Sequence, residues 1–197
     1  MTEQARVILA SASPRRHELL QQIHVDHDIL PVDIDETCAE HELVVDCAIR
    51  LALTKARVGL SLAPDAVVIG SDTLVTVDGL NLGKPENREN ALQMLESLSG
   101  RQHEVVTAVA VAREGRELSC ANRTMVTFRP LSASEIAAYW ETGEPRDKAG
   151  AYAIQGIAAR FVTKIEGSYS GVMGLPLYET AQLLEEIGVQ LSVPADA

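Results

Sequence analysis

The sequence predicts an α/β fold. Short apolar runs such as Val7-Ile8-Leu9-Ala10 and Ala66-Val67-Val68-Ile69 recur along the chain, separated by segments with apolar residues at helical spacing. The junctions hold Gly, Pro, Asp and Ser, which stop strands and start helices. A hydrophobic content of 46% with 23% charged residues in 197 residues suits a folded chain with a sizeable core and excludes a disordered one.

Val7 to Ala10 reads as the first strand and Pro14 to Gln22 as the first helix. Pro14 suits the first helical position, where its missing N–H would be unpaired in any case, and Ser13 before it predicts an N-cap hydroxyl accepting from a first-turn amide. His27 to Val32 is a short second strand, followed by the acidic loop Asp33-Ile34-Asp35-Glu36-Thr37. A long helix spans Glu42 to Leu62, with Val45, Ile49, Ala52 and Ala56 on one face, and stops at Pro64-Asp65. Ala66 to Gly70 is a buried strand running into a Ser71-Asp72-Thr73 turn. Leu74 to Val77 continues to Asp78-Gly79, a hairpin signal.

A helix over Asn87 to Leu98 stops at Gly100, and His103 to Ala112 with Leu118 to Phe128 flank Glu114-Gly115 as a long hairpin. Ser132 and Glu135 have capping-box spacing for a helix through Tyr139 and Trp140. A glycine-punctuated region from Gly150 to Gly174 holds one strand, Ala159 to Ile165. The last helix runs from Leu175-Pro176 to Ile187 and ends at Gly188. No repeat, low-complexity segment or linker interrupts the chain, so a single domain over residues 1–197 is expected.

The net charge of −11 disfavours DNA or RNA as the main partner, while a small anion can still be held by a local basic pocket. No apolar run approaches the ~18 residues that span a bilayer, so no membrane partner is expected. Met1-Thr2-Glu3-Gln4-Ala5-Arg6 has no signal-peptide pattern. The three cysteines, Cys38, Cys47 and Cys120, are scattered and odd in number, which predicts a reducing compartment, the cytoplasm, and neither a disulfide nor a zinc framework.

The turn from first strand to first helix is a candidate anion site. A helix start offers amides and the positive end of a dipole; Ser11 adds a donor, and Arg15 and Arg16 add planar forks matched to phosphate oxygens. The other reading is a capped surface helix with solvated arginines. Asp72 follows an uncharged strand and is placed at its C-terminal edge, where open α/β sheets bind ligands; a carboxylate there can hold a hard cation or accept a proton from water. It can equally be a turn residue capping its own backbone.

Glu36 lies among carboxylates suited to a divalent cation, although acidic loops are also simply solvated. Lys55 follows Leu51 by one helical turn and can carry its ammonium along an apolar face, as can any snorkelling surface lysine. Gly83 and Pro85 fix the backbone around Lys84, without P-loop spacing. Gln155 offers an amide that matches the imide edge of a base. His24-Val25-Asp26-His27-Asp28 includes no third metal ligand of obvious geometry. Gly167-Ser168-Tyr169-Ser170-Gly171 has the outline of a nucleophile elbow with Tyr where the Ser belongs.

Taken jointly, Leu9-Ala10-Ser11-Ala12-Ser13-Pro14-Arg15-Arg16, Gly70-Ser71-Asp72-Thr73, Gly83-Lys84-Pro85, Lys148-Ala149-Gly150-Ala151-Tyr152-Ala153-Ile154-Gln155-Gly156, Gly167-Ser168-Tyr169 and Gly174-Leu175-Pro176 resemble the Maf family of nucleoside triphosphate pyrophosphatases. The resemblance covers nearly the whole chain. It implies a mixed, elongated, twisted α/β sheet flanked by helices, with two lobes and a central cleft, and a homodimer. It also implies hydrolysis of a nucleoside triphosphate to monophosphate and pyrophosphate with a divalent cation, Mg²⁺ or Mn²⁺. On that resemblance Asp72 matches the proton acceptor, and Glu36, Lys55 and Lys84 match the other acidic and basic active-site positions. Arg15, Thr73 and Gln155 match the positions linked to substrate choice, in the form seen in the dTTP and UTP branch. The expected arrangement puts the triphosphate on Ser11, Ser13, Arg15 and Arg16, and the cation on Glu36 and Asp72. The family's association with inhibition of septum formation leaves a second reading open, a nucleotide-binding regulatory protein with little turnover.

Overall fold

The computed structural model describes residues 5–191. Most of the stretch read above for a targeting signal, Met1-Thr2-Glu3-Gln4, lies outside them. Strands β1 (Val7–Leu9), β2 (Asp28–Ile29), β3 (Val67–Val77), β4 (Leu80–Leu82), β5 (Gln102–Arg113), β6 (Arg116–Phe128) and β7 (Val162–Glu166) form one sheet of seven strands in the order β2-β1-β3-β5-β6-β7, with β4 paired to β3. The sheet is mixed: β1 runs parallel to β2 and β3, whereas β3–β4 and β6–β7 are antiparallel. The helices are α1 (Pro14–Gln22), α2 (Val44–Leu62), α3 (Arg88–Leu98), α4 (Ala133–Glu141), α5 (Tyr169–Met173) and α6 (Leu177–Glu186). The α/β expectation holds.

Among the described residues, one compact unit takes in the chain up to Asp72, Thr107–Asn122 and the stretch from Gly174 on; the other comprises Thr73–Val106 and Arg123–Met173. In the first, Ile8, Ala10, Ala66 and Val68 form a buried cluster. Helix α2 buries Cys47, Ala48, Leu51, Ala52, Lys55, Ala56 and Gly59; of the predicted face Ala52 and Ala56 lie within it, whereas Val45 and Ile49 are only half-buried at its margin. The reason is close approach. A Cβ on Gly70 would lie 2.2 Å from the Ala52 carbonyl oxygen, and one on Gly59 would lie 2.7 Å from Val68 Cγ1. Small residues let main chain meet main chain, so the buried face follows the alanines and Gly59 and leaves Val45 and Ile49 at its margin.

The second unit has a larger core, including Val75, Leu95, Leu98, Phe128, Tyr139, Tyr152 and Phe161. Phe128 meets His103, Tyr152 and Phe161 edge to face with ring centroids 4.9–6.0 Å apart. The capping box at Ser132 and Glu135 forms with both of its hydrogen bonds, and Asn87 caps α3 by accepting from the Asn90 amide. The expected strand over 159–165 is displaced: Ile157–Phe161 is a 3-10 turn, and β7 begins at Val162.

Three further expectations are corrected. Asp72 does not end a strand, because β3 continues unbroken from Val67 to Val77 and holds Asp72 at its middle. Ser71-Asp72-Thr73 reads as a turn because it is polar. In the fold that polarity is satisfied inside the strand, with Ser71 Oγ donating toward the Ala108 and Gly174 carbonyls and Asp72 paired with Lys55. Ser13 occupies the N-cap of α1, yet its side chain makes no capping bond; its own amide is instead turned toward the Ser11 hydroxyl at 3.2 Å. Finally, Cys38 and Cys47 form a disulfide. The chain reverses at His41, with a left-handed φ of +65°, and returns Cys38 to the first turns of α2, a proximity that spacing along the sequence does not reveal.

Candidate active site

In the first unit, helix α2 and strand β3 each deliver one charged side chain to the same place. Lys55 Nζ lies 2.6 Å from Asp72 Oδ1, and both side chains are more than nine-tenths buried. The same ammonium lies 2.5 Å from Glu36 Oε1 on the acidic loop, whose side chain is about half exposed at 49%. One cation thus bridges two carboxylates, one deep and one near solvent. The bridge works because α2 approaches β3 closely enough at Gly70 for a lysine three residues after Ala52 to reach a carboxylate two residues after the glycine.

The Glu36 loop has no regular structure, but it is tied down. Arg50 holds Glu42 through two nitrogens at 2.7 Å each and donates to the Thr37 carbonyl at 3.1 Å; this pairing holds the Glu42 carboxyl at about 2. The Cys38–Cys47 bond then joins the loop to α2.

Arg16, half-buried on α1, is anchored from inside. Its Nη1 donates to Ser11 Oγ at 3.0 Å and its Nε to the Gly174 carbonyl at 2.8 Å. Burial lowers its pKa below the ordinary arginine value; Asp72 and Glu36 oppose that, and the like charge of Arg15 adds to it. Ser11 is buried, whereas Ser13 and Arg15 are half-buried. The Gly174 carbonyl serves Arg16 and Ser71 at once, so Gly174 fastens two positioned groups from a distant part of the sequence.

The second unit carries Thr73, Lys84 and Gln155. Thr73 is half-buried on β3, directly after Asp72. Lys84 is exposed beyond β4; the carbonyl before it, on Gly83, accepts from the Gly150 amide at 3.1 Å, which ties the Lys84 loop to the segment that leads to Gln155. Gln155 is exposed in a turn closed by the Gly156 amide donating to the Ala153 carbonyl at 3.0 Å.

The profile of the family described as Maf-like protein matches residues 6–187. The chain belongs to the Maf family. This Maf protein is 51% identical over 187 residues to a Vibrio parahaemolyticus protein named dTTP/UTP pyrophosphatase, a match covering 94% of this chain and 99% of the relative. A Methylobacillus flagellatus protein of the same name is 54% identical over 189 residues, 94% of each chain. Among solved structures, a HAM1 protein from Coxiella burnetii aligns with 92% of this chain and 99% of its own at 18% identity and a TM-score of 0.47. The fold class of this Maf protein rests on its own sheet.

Of the residues expected at the site of this Maf protein, the first unit brings together Asp72, Lys55 and Glu36, and seats Arg16 on Ser11. The family's glycine motifs also find physical roles. Gly167, at φ +134°, lies where a Cβ would come 2.6 Å from Thr124 Oγ1, and the Ser168 amide donates to that same hydroxyl at 2.9 Å. The segment is a seat on β6 and not a nucleophile elbow. Sequence reasoning missed the close contact at Gly70, signalled by a glycine inside an apolar strand run. It also missed the Gly174 carbonyl, which no local pattern announces.

Proposed function

We propose that this chain hydrolyses nucleoside triphosphates, dTTP and UTP foremost, with water to the nucleoside monophosphate and pyrophosphate. The observation that carries the reading is the Asp72–Lys55–Glu36 bridge, a carboxylate held on a rigid strand beside a buried ammonium. Relatives at about half identity bearing the name dTTP/UTP pyrophosphatase support the substrate class.

In this reading Ser11, Ser13, Arg15, Arg16 and the start of α1 hold the triphosphate. Lys55 and Lys84 stabilise charge on the phosphoryl oxygens, the electrostatic contribution that dominates phosphoryl transfer. Asp72 accepts the proton of a water attacking the α-phosphorus, and pyrophosphate leaves with the electrons of the broken P–O bond. Glu36 and Asp72 supply only carboxylate oxygen, the hard donor set that Mg²⁺ and Mn²⁺ prefer, and fit the expected cation. When bound, that cation supplies charge neutralisation and phosphate orientation. Thr73 and Gln155 read the pyrimidine, whose imide edge both donates and accepts as an amide does. One domain, a homodimeric assembly and the cytoplasm, where nucleoside triphosphates are made and spent, complete the reading.

The test is pyrophosphate release from a panel of nucleoside triphosphates with Mg²⁺ or Mn²⁺, with Asp72→Asn alongside. Release from dTTP and UTP is expected, falling by about a hundredfold or more in the variant while its circular dichroism is unchanged. Wild-type turnover in Asp72→Asn overturns the role of Asp72. Binding of nucleotides without release from any overturns the hydrolase reading in favour of a regulatory protein.

A further inference from the structure

Glu144 has no role in the chemistry above, yet its carboxylate accepts three hydrogen bonds within the second unit. It opens the 3-10 turn Glu144–Asp147 after α4. Its Oε2 accepts from the Ile157 amide at 2.9 Å, and its Oε1 accepts from the Ala158 amide at 3.3 Å and from Tyr139 Oη at 2.6 Å. Tyr139 Oη in turn accepts from the Ala153 amide at 3.2 Å. The turn Ala153–Ala158 is therefore gripped at both ends by a single tyrosine–glutamate couple, and Gln155 is carried at its middle.

Gly156 shows how tightly the grip is built. A Cβ there would lie 2.2 Å from Glu144 Oε2 and 2.4 Å from its Cδ. The glycine that follows Gln155 is what admits the carboxylate to the next two amides. An exposed side chain on an untethered loop would have to be ordered each time it met a ligand, a cost that a pre-ordered backbone removes. Charge-assisted bonds from successive amides to one carboxylate are strong enough to hold such a turn against solvent.

We propose that Glu144 and Tyr139 are positioning residues for pyrimidine selection, fixing the backbone from which Gln155 meets the base. This rests on the reading that Gln155 recognises the pyrimidine edge. The chemistry of the couple suits the task, because neither side chain need touch the substrate.

The experiment measures kcat and KM for UTP and ATP in wild type, Glu144→Gln, Tyr139→Phe, Gln155→Ala and the double variant Glu144→Gln/Gln155→Ala, with thermal unfolding of each. Glu144→Gln is expected to narrow the UTP-over-ATP ratio of kcat/KM about tenfold, the worth of a lost hydrogen bond, with the loss falling more on KM for UTP than on kcat. Tyr139→Phe keeps the ring in the core and narrows the ratio in the same direction; it decides the matter if Glu144→Gln fails to fold. In the double variant the ratio is expected to match Gln155→Ala alone, since Glu144 acts through Gln155. Equal losses with UTP and ATP, or effects that multiply in the double variant, overturn the positioning role while leaving Gln155 as the base reader. An unchanged ratio in Gln155→Ala overturns the base-reading role itself, and the positioning proposal with it.

Discussion

Lys55 and Asp72 meet at 2.6 Å with both side chains more than nine-tenths shielded from water. Such a pair is costly to break from the Lys55 side, because Asp72 is left behind as a buried carboxylate without its ammonium, whereas Lys55 keeps Glu36 when Asp72 is neutralised. Lys55→Met is expected to destabilise the fold by about 3 kcal/mol. Lys55→Met/Asp72→Asn should recover part of that loss, although both variants release no pyrophosphate. Urea unfolding of the two single variants and the double checks this; strictly additive losses would mean that the pair is not coupled.

Gly70→Ala places a methyl group 2.2 Å from a carbonyl oxygen of α2, where no side chain can move aside. The expected loss is about 3 kcal/mol or more, accompanied by lost activity as strand and helix are forced apart. Gly83→Ala is the control, since its Cβ meets nothing within 4 Å, and its unfolding midpoint should match wild type.

His103 is buried with Nε2 2.9 Å from Tyr152 Oη and Nδ1 without a hydrogen-bond partner. Burial pulls its pKa from 6.5 to about 4. Between those values the unfolded chain binds a proton that the folded chain refuses. The contribution of His103 is therefore fully present above pH 6.5 and is lost as pH falls toward 4, by about 3 kcal/mol in all. Comparing urea midpoints at pH 7.5 and pH 5, His103→Gln should lose less stability on acidification than wild type; equal losses would show that His103 titrates normally.

The Cys38–Cys47 bond closes a loop with a sequence separation of 9, which in the chain-entropy picture is worth about 2 to 3 kcal/mol. Dithiothreitol should lower the unfolding midpoint of wild type and leave that of Cys38→Ser unmoved. Mass spectrometry of the untreated protein should find Cys120 as the one thiol open to alkylation after denaturation.

Elements marked by local chemistry were legible in the sequence. Pro14 starts α1, α3 falls within the helix read over Asn87 to Leu98, Ser132 and Glu135 build a capping box, and the two-residue link Glu114-Gly115 joins β5 to β6. Asp72, Lys55 and Glu36 were legible as charges in informative places, though not as a triplet, because their meeting depends on three separate segments. What escaped was set by tertiary partners. Ser71 and Asp72 look like a turn until carbonyls and an ammonium arrive from elsewhere, and Cys38 looks isolated until the chain turns back at His41. The rotation of α2 escaped for a related reason. Hydrophobicity favours Val45 and Ile49, but the close approach at Gly70 requires the alanine face around Ala52 and Ala56 to turn inward.

Where side chains fill the gap between two packed segments, they can exchange rotamers and let the gap drift as the surrounding core mutates. Here the spacing of the main-chain segments that carry Lys55 and Asp72 is set at Gly70 by backbone meeting backbone, which has no rotamers to exchange. Substitutions elsewhere in the first unit can therefore alter how firmly the protein folds while leaving this backbone spacing in place. At Gly70 itself the two are joined, because one added methyl group disturbs both the fold and the site.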